Sequence, residues 1–298
     1  MKEFTLSQKY AIVALNGLES LHRSLAKDAV LHALKAAEVM EDAVEDGVSH
    51  EVFSSKLQEA GEQAKSLKRK EAKRLEEEMA AYLSSEGVLE QIPDILGCDM
   101  DYETAGVELK AYRSEEATYL SIREGVRAEI LDDGEVSDEC GVLLWLFRES
   151  GCMCDIFSAE EQNRVQERML ALAAGKENFR LLWKAEFYRM TEKLSEKFLR
   201  AKKNLFKNPY LEGVNLVFPY LERRNAIFID FVVLGTNVQQ RRIAVMEHLS
   251  EKGHYVEEVK MGEETLLKID NNYYRIFPST RRAYKVPIQG ANIVPVYW

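Results

Sequence analysis

The sequence predicts a mainly α-helical N-terminal domain followed by a small α+β C-terminal domain. Three observations carry that expectation. Apolar residues recur at helical spacing along most of the chain up to Leu205. After Asn208-Pro209 the pattern changes, and Asn225-Ala-Ile-Phe-Ile-Asp-Phe-Val-Val-Leu234 is β-branched and aromatic, as a buried strand is. The charge balance changes at the same place. Up to Leu205, 28 Lys and Arg stand against 40 Asp and Glu, a net −12, and from Phe206 onward 12 stand against 10, a net +2. The expected division is therefore 1–205 and 206–298, with Asn208-Pro209 ending a helix beside it.

The central element of the first domain runs from Ser137. Ser137-Asp-Glu139 reads as a polar first turn, and Cys140-Gly-Val-Leu-Leu-Trp-Leu-Phe147 follows, apolar on nearly every side. Such a helix has to be buried. Ser150-Gly151 breaks it, Cys152 to Phe157 is a short apolar crossing, and Ser158-Ala-Glu-Glu161 opens an amphipathic helix with a capping box. That helix is expected to pack over the central one.

The remaining elements follow in order. Thr5-Leu-Ser-Gln8 is a second capping box, ahead of Tyr10 to Leu15, and Asn16-Gly17 ends that helix. Ser24 to Ala43 reads as an amphipathic helix, and Val52 to Leu83 as one long charged helix with Leu57, Ala60, Ala64, Leu67, Leu75 and Met79 in its stripe. Gly87 and Pro93 mark its end, Asp99 to Thr104 is expected to be a polar loop, and Val107 to Leu131 a helix interrupted near Gly125. Phe179 to Phe206 reads as a last long helix. Beyond it, Asn237 to Lys252 reads as a helix, and His254–Lys260, Glu264–Ile269 and Tyr273–Phe277 as short strands, the last two joined at Asp270-Asn-Asn272. The tail, with Pro287, Gly290 and Pro295, is expected to be extended.

Composition narrows the function classes. Charged residues at 30% and hydrophobic ones at 46% are globular values. The longest apolar runs fall far short of the ~20 residues of a membrane-spanning helix. The opening Met-Lys-Glu-Phe-Thr-Leu-Ser-Gln carries acid and polar groups where a secretion signal needs an apolar core. A cytoplasmic location is expected, and Cys98, Cys140, Cys152 and Cys154 fit it as reduced thiols. The acidic first region disfavours nucleic-acid binding there, since neutralising phosphates needs a basic face.

No motif carries a reaction. Cys152-Met-Cys154 is too closely spaced for a zinc pair and has no histidine nearby. Asp99, Asp101 and Glu103 alternate as in a calcium loop, but Thr104 stands where glycine is needed and Lys110 where the bidentate Glu belongs. Leu234-Gly-Thr-Asn237 has one glycine where a phosphate loop has several. No metal, cofactor or catalytic residue is assigned. Two basic clusters remain as candidates. Within Lys65–Arg74, Lys68, Arg69, Lys70, Lys73 and Arg74 can meet an anionic surface, with Glu71 and Glu76–Glu78 opposing them. In the second domain Tyr274, Arg275, Arg281, Arg282, Tyr284 and Lys285 form a basic-aromatic patch that suits phosphate, nucleic acid or acidic protein, and equally suits a strand edge protected by charge. The leading expectation is a non-enzymatic cytosolic binding or adaptor protein, peripheral at a membrane surface or bound to a protein partner. The alternatives are an enzyme with its site in an interdomain cleft and nucleic-acid binding through the C-terminal patch.

Several of these features also occur together in one known family. Phe4-Thr-Leu6 before an apolar helix, Lys73-Arg74 through Ser85-Glu-Gly-Val-Leu89, Ser137-Asp-Glu through Val142-Leu-Leu-Trp-Leu146, Ile156-Phe-Ser158 and Arg164–Arg168 stand in an order that resembles the Golgi phosphoprotein three-like family up to about Gly175. Members are helical proteins that bind phosphoinositide at membrane surfaces. The family's pocket pairs a tryptophan with an arginine nine residues later and adds two arginines on the basic helix. Those positions fall on His22, Leu31, Lys73 and Glu76, so at most one cation is kept. The resemblance implies the helical fold and no specific phosphoinositide binding, because a phosphate clamp needs fixed cations.

Overall fold

The computed structural model describes residues 3–18, 25–45, 47–186, 224, 226–230, 238–260, 265–283 and 286–296. The N-terminal domain is helical: α1 (Leu6–Ala14), α2 (Leu25–Met40), α3 (His50–Ser66), α4 (Arg69–Ser85), α5 (Met100–Ala105), α6 (Glu116–Leu131), α7 (Asp138–Ser150), α8 (Met153–Ile156), α9 (Ala159–Gly175) and α10 (Glu177–Lys184). Strands β1 (Leu89–Pro93) and β2 (Lys110–Ser114) pair antiparallel within it. The C-terminal domain is α+β, with β3 (Ile227–Asp230), α11 (Val238–Glu251), β4 (Val256–Lys260), β5 (Thr265–Ile269), β6 (Asn272–Ala283) and β7 (Val286–Val296). Its antiparallel sheet has the order β3-β7-β6-β5-β4. The expected boundary at 205/206, most of the helix expected over Phe179–Phe206, and the Leu234–Asn237 connection lie outside the described residues.

Helix α7 is the centre of the helical domain. Ser137 Oγ accepts from the Cys140 amide at 3.1 Å, and Gly151 ends the helix at φ 76°. Ten of its thirteen residues are buried, so every side of it meets another element. It packs on α1, α2, α6 and α10. A Cβ on Gly141 would sit 2.9 Å from the Phe179 ring, which is how closely α10 approaches. Trp145 Nε1 donates to the Ala185 carbonyl at 3.0 Å. The Arg148 guanidinium donates to the carbonyls of Leu182, Trp183 and Ala185, satisfying the open end of α10.

Three expectations need correction. Helix α9 does form with its Ser158–Glu161 box, but it packs on α6 and α10 and not over α7. Arg127 on α6 holds Glu161 through both guanidinium ends, at 2.6 and 2.9 Å. The helix expected over Val52–Leu83 breaks at Leu67 and Lys68, both extended, because α2 packs against α3 and α4 alike. A straight helix of that length would run about 50 Å and could not fold back onto α2. The stretch read as loop and interrupted helix is instead β1, a 3₁₀ turn at Ile95–Cys98, α5 and β2, followed by an α6 continuous through Gly125. Strands of five residues are too short for period counting to find. The tail is extended as expected, and it forms a full strand: β7 lies between β3 and β6. At Gly290 the β3 strand comes so near that any Cβ would run into the Ile229 carbonyl.

Two apolar clusters result. The larger is built from α1 to α4 and α6 to α10 with β1 and β2. The smaller joins Val245 and Leu249 of α11 to Ile227, Ile229, Leu267, Ile269, Ile276, Ala291 and Ile293 of the sheet, and takes Cys98 from the helical domain.

Candidate functional site

The densest set of buried polar groups lies where the sheet meets the helical domain, at the tip of the β5–β6 hairpin. Asp270 and Asn271 have φ of 48° and 68°, the two positive values of a type I′ turn, which Asp and Asn tolerate. The turn inserts between β2 and the loop after α1. Asn271 Nδ2 donates to the Ser114 carbonyl at 2.7 Å, and Asn16 Nδ2 to Asn272 Oδ1 at 3.4 Å. Asn16 also accepts from the Ser114 amide at 3.2 Å, and Ser114 Oγ donates to the Ile12 carbonyl at 2.6 Å. Gly17, at φ 72°, lies so near the Asn272 amide that a Cβ would stand 2.7 Å from it.

Asp270 is the charged centre of this joint. Arg113 Nη1 donates to Oδ1 at 2.6 Å, the Tyr255 amide to Oδ1 at 3.0 Å, and His254 Nδ1 to Oδ2 at 2.6 Å. A carboxylate only accepts, so Nδ1 of His254 carries the proton. Burial pushes the Asp270 carboxyl up, but His254, the Tyr255 amide and Arg113 together bring it below the usual carboxylate range. Burial opposes the charge on Arg113, yet its bonds to Glu90, at 2.7 Å, and Asp270 hold its pKa above the ordinary value.

An Asp–His pair is also the supporting half of a nucleophile–base arrangement. Here the His254 side chain is fully buried, and its Nε2 has no hydrogen-bond partner among the described residues. The Cys98 thiol, which feels the charge of Asp270, is pushed up to about 12 by burial and stays protonated. The charged groups of the joint thus engage one another across the junction.

Five more ion pairs, made by four cations, cross the same junction. Arg224 meets Asp155 at 3.3 Å with both side chains buried, and Arg281 meets Asp101 at 3.3 Å and Asp99 at 3.5 Å. Lys268 pairs with Glu116 and Lys252 with Glu103. In all five the sheet domain supplies the cation and the helical domain the acid, the same asymmetry as the −12 and +2 of the sequence. Asp99 has a further task, since its Oδ2 accepts from the Phe228 amide at 2.7 Å along the outer edge of β3.

The predicted basic residues are placed as follows. Lys68, Arg69, Lys70, Lys73 and Arg74 are all exposed at the corner between α3 and α4, with Lys65 beside them. Lys73 pairs with Glu77 at 3.4 Å and Arg74 with Glu78 at 3.5 Å, both on the solvent face. Lys65, Lys68, Arg69 and Lys70 have no carboxylate within ion-pair distance among the described residues. In the C-terminal patch, Tyr274 is buried under the Arg224 guanidinium and its phenol is pushed up to about 12 by burial. Arg275 is exposed, and Arg281 lies over the Phe228 ring beside Asp99 and Asp101. Tyr284, Lys285 and the Arg282 side chain lie outside the described residues. The joint itself, Asn16, Arg113, His254 and Asp270, was not foreseen. Its partners stand up to 256 residues apart, and only the Asp270-Asn271 turn left a local signal.

Of the positions matched to the family pocket, His22 is outside the described residues. Leu31 is buried, Lys73 is exposed, and Glu76 is buried against Lys27 at 2.8 Å with the Tyr112 hydroxyl at 3.1 Å. Among the described residues no group of three metal-ligating side chains comes together, and no helix is long and apolar enough to cross a membrane. Comparison with protein-family models, with curated proteins and with solved structures finds no match.

Proposed function

We propose that the protein is a non-enzymatic cytosolic binding protein that docks peripherally on an anionic membrane surface through the α3–α4 corner. The observation that carries this reading is the set of four exposed cations, Lys65, Lys68, Arg69 and Lys70, without carboxylate partners among the described residues. Lys68, Arg69 and Lys70 gather where the positive end of the α4 dipole adds to their field. Each basic residue near a charged leaflet contributes about 1 kcal/mol, so four supply weak, reversible binding. The order of features shared with the Golgi phosphoprotein three-like family supports a helical domain working at a membrane. The buried Leu31 and the Glu76–Lys27 pair speak for charge attraction over a phosphoinositide clamp.

The test is co-sedimentation with vesicles of phosphatidylserine and of a monophosphorylated phosphoinositide, matched for charge, at low and physiological salt. Equal binding to both, falling steeply with salt, is the expected result. A clear preference for the phosphoinositide that survives physiological salt would mean a specific pocket. Binding to neither, with an acidic protein retained instead, would replace the membrane by a protein partner.

A further inference from the structure

We infer that Ser66 is a phosphorylation site that switches the basic corner off, an inference that rests on the proposed membrane docking. Ser66 is the last residue of α3, and its side chain is exposed. Its hydroxyl donates only to the Gln63 carbonyl of its own helix, at 3.2 Å. The next two residues, Leu67 and Lys68, are extended at φ −58°, ψ 117° and φ −86°, ψ 153°, so the helix stops where a kinase must grip the chain. Cations flank the hydroxyl on both sides, Lys65 before it and Lys68, Arg69 and Lys70 after it, which is the charge pattern a basophilic kinase reads.

The step is a phosphoryl transfer from a nucleoside triphosphate. The Ser66 Oγ–phosphorus bond forms as the bond from the γ-phosphorus to the bridging oxygen breaks. The nucleoside diphosphate leaves with that electron pair, and the hydroxyl proton passes to the kinase's base. The product carries close to two negative charges in the middle of the four cations. It stands at the C-terminal end of α3, whose dipole opposes it, so the flanking cations are what can hold the phosphate. The cations then turn inward onto the phosphate and the corner loses its attraction for a leaflet, an electrostatic switch.

The full-length protein is treated with a basophilic serine kinase and ATP, the modified residue is located by mass spectrometry, and both forms are sedimented with mixed phosphatidylserine–phosphatidylcholine vesicles at low salt. Cancelling two charges predicts a loss of binding of about tenfold or more. Ser66→Ala should bind like the untreated protein and keep its binding after kinase treatment. Phosphate at Ser66 with unchanged binding overturns the switch while leaving the docking surface intact, and so does a Ser66 that the kinase does not modify. An untreated protein that fails to sediment removes the docking reading, and the switch with it.

Discussion

At the scale of single residues, Asp270 holds the joint and Trp145 fills the centre of the helical core. Asp270 accepts from Arg113, His254 and the Tyr255 amide, and removing its charge leaves Arg113 without its buried partner. Breaking one side of such a pair costs about 3–5 kcal/mol, so Asp270→Asn should lower the urea midpoint by a corresponding amount. The sign with pH follows from the depressed carboxyl. The unfolded state binds the proton first, so the contribution is complete above the ordinary carboxylate range, near pH 4, and fades as pH falls through the lower folded value. Stability measured from pH 6 down to pH 2 should therefore fall less steeply in Asp270→Asn than in the parent. Parallel curves would mean that the fold does not lower the Asp270 pKa. Trp145 is 1% exposed at the centre of α7. Trp145→Ala should cost about 3–5 kcal/mol, and an unchanged denaturation midpoint would place that helix at the surface.

At the scale of elements, the sequence announces starts and stops better than neighbours. The capping boxes at Thr5–Gln8 and Ser158–Glu161 and the Ser137 cap form as their residue types require, because a cap is a local bond within four residues. What α9 packs against was not legible, since Arg127 and Glu161 are separated by 34 residues of chain. The α3–α4 break was hidden for a related reason. The apolar stripe continues through Leu67, and only the need of both helices to reach α2 bends the chain there. In the sheet, Gly290 was visible as a tail glycine but its purpose was not. It admits the Ile229 carbonyl at the β3–β7 crossing, so Gly290→Ala must push β3 away. A loss of about 3 kcal/mol or more is expected in thermal or urea unfolding, the upper range for overpacking. A variant as stable as the parent would show that β3 and β7 are farther apart than described.

At the scale of the whole molecule, the uneven charge of the sequence finds its place. Sheet-domain cations face helical-domain acids at five crossing ion pairs, and Arg113–Asp270 is a reversed pair across the same junction. The joint, not either core, then sets how firmly the hairpin is held. In Arg113→Ala, amide hydrogen exchange should quicken in β5 and β6 and stay slow in α7, whereas uniform acceleration would mean that the two clusters unfold as one. Arg281 is drawn to Asp99 and Asp101 and Tyr274 lies in the core, so the proposed docking is assigned to the exposed cations of the α3–α4 corner. The direct test of that claim compares two charge reversals in one phosphatidylserine vesicle assay at low salt. Acid is welcome in the first turn of a helix, so Arg69→Glu with Lys70→Glu leaves α4 folded. That double variant is predicted to lose vesicle binding by more than about tenfold, with Arg275→Glu binding as the parent does. Full binding by the corner variant, or its loss on reversing Arg275 alone, would contradict the account.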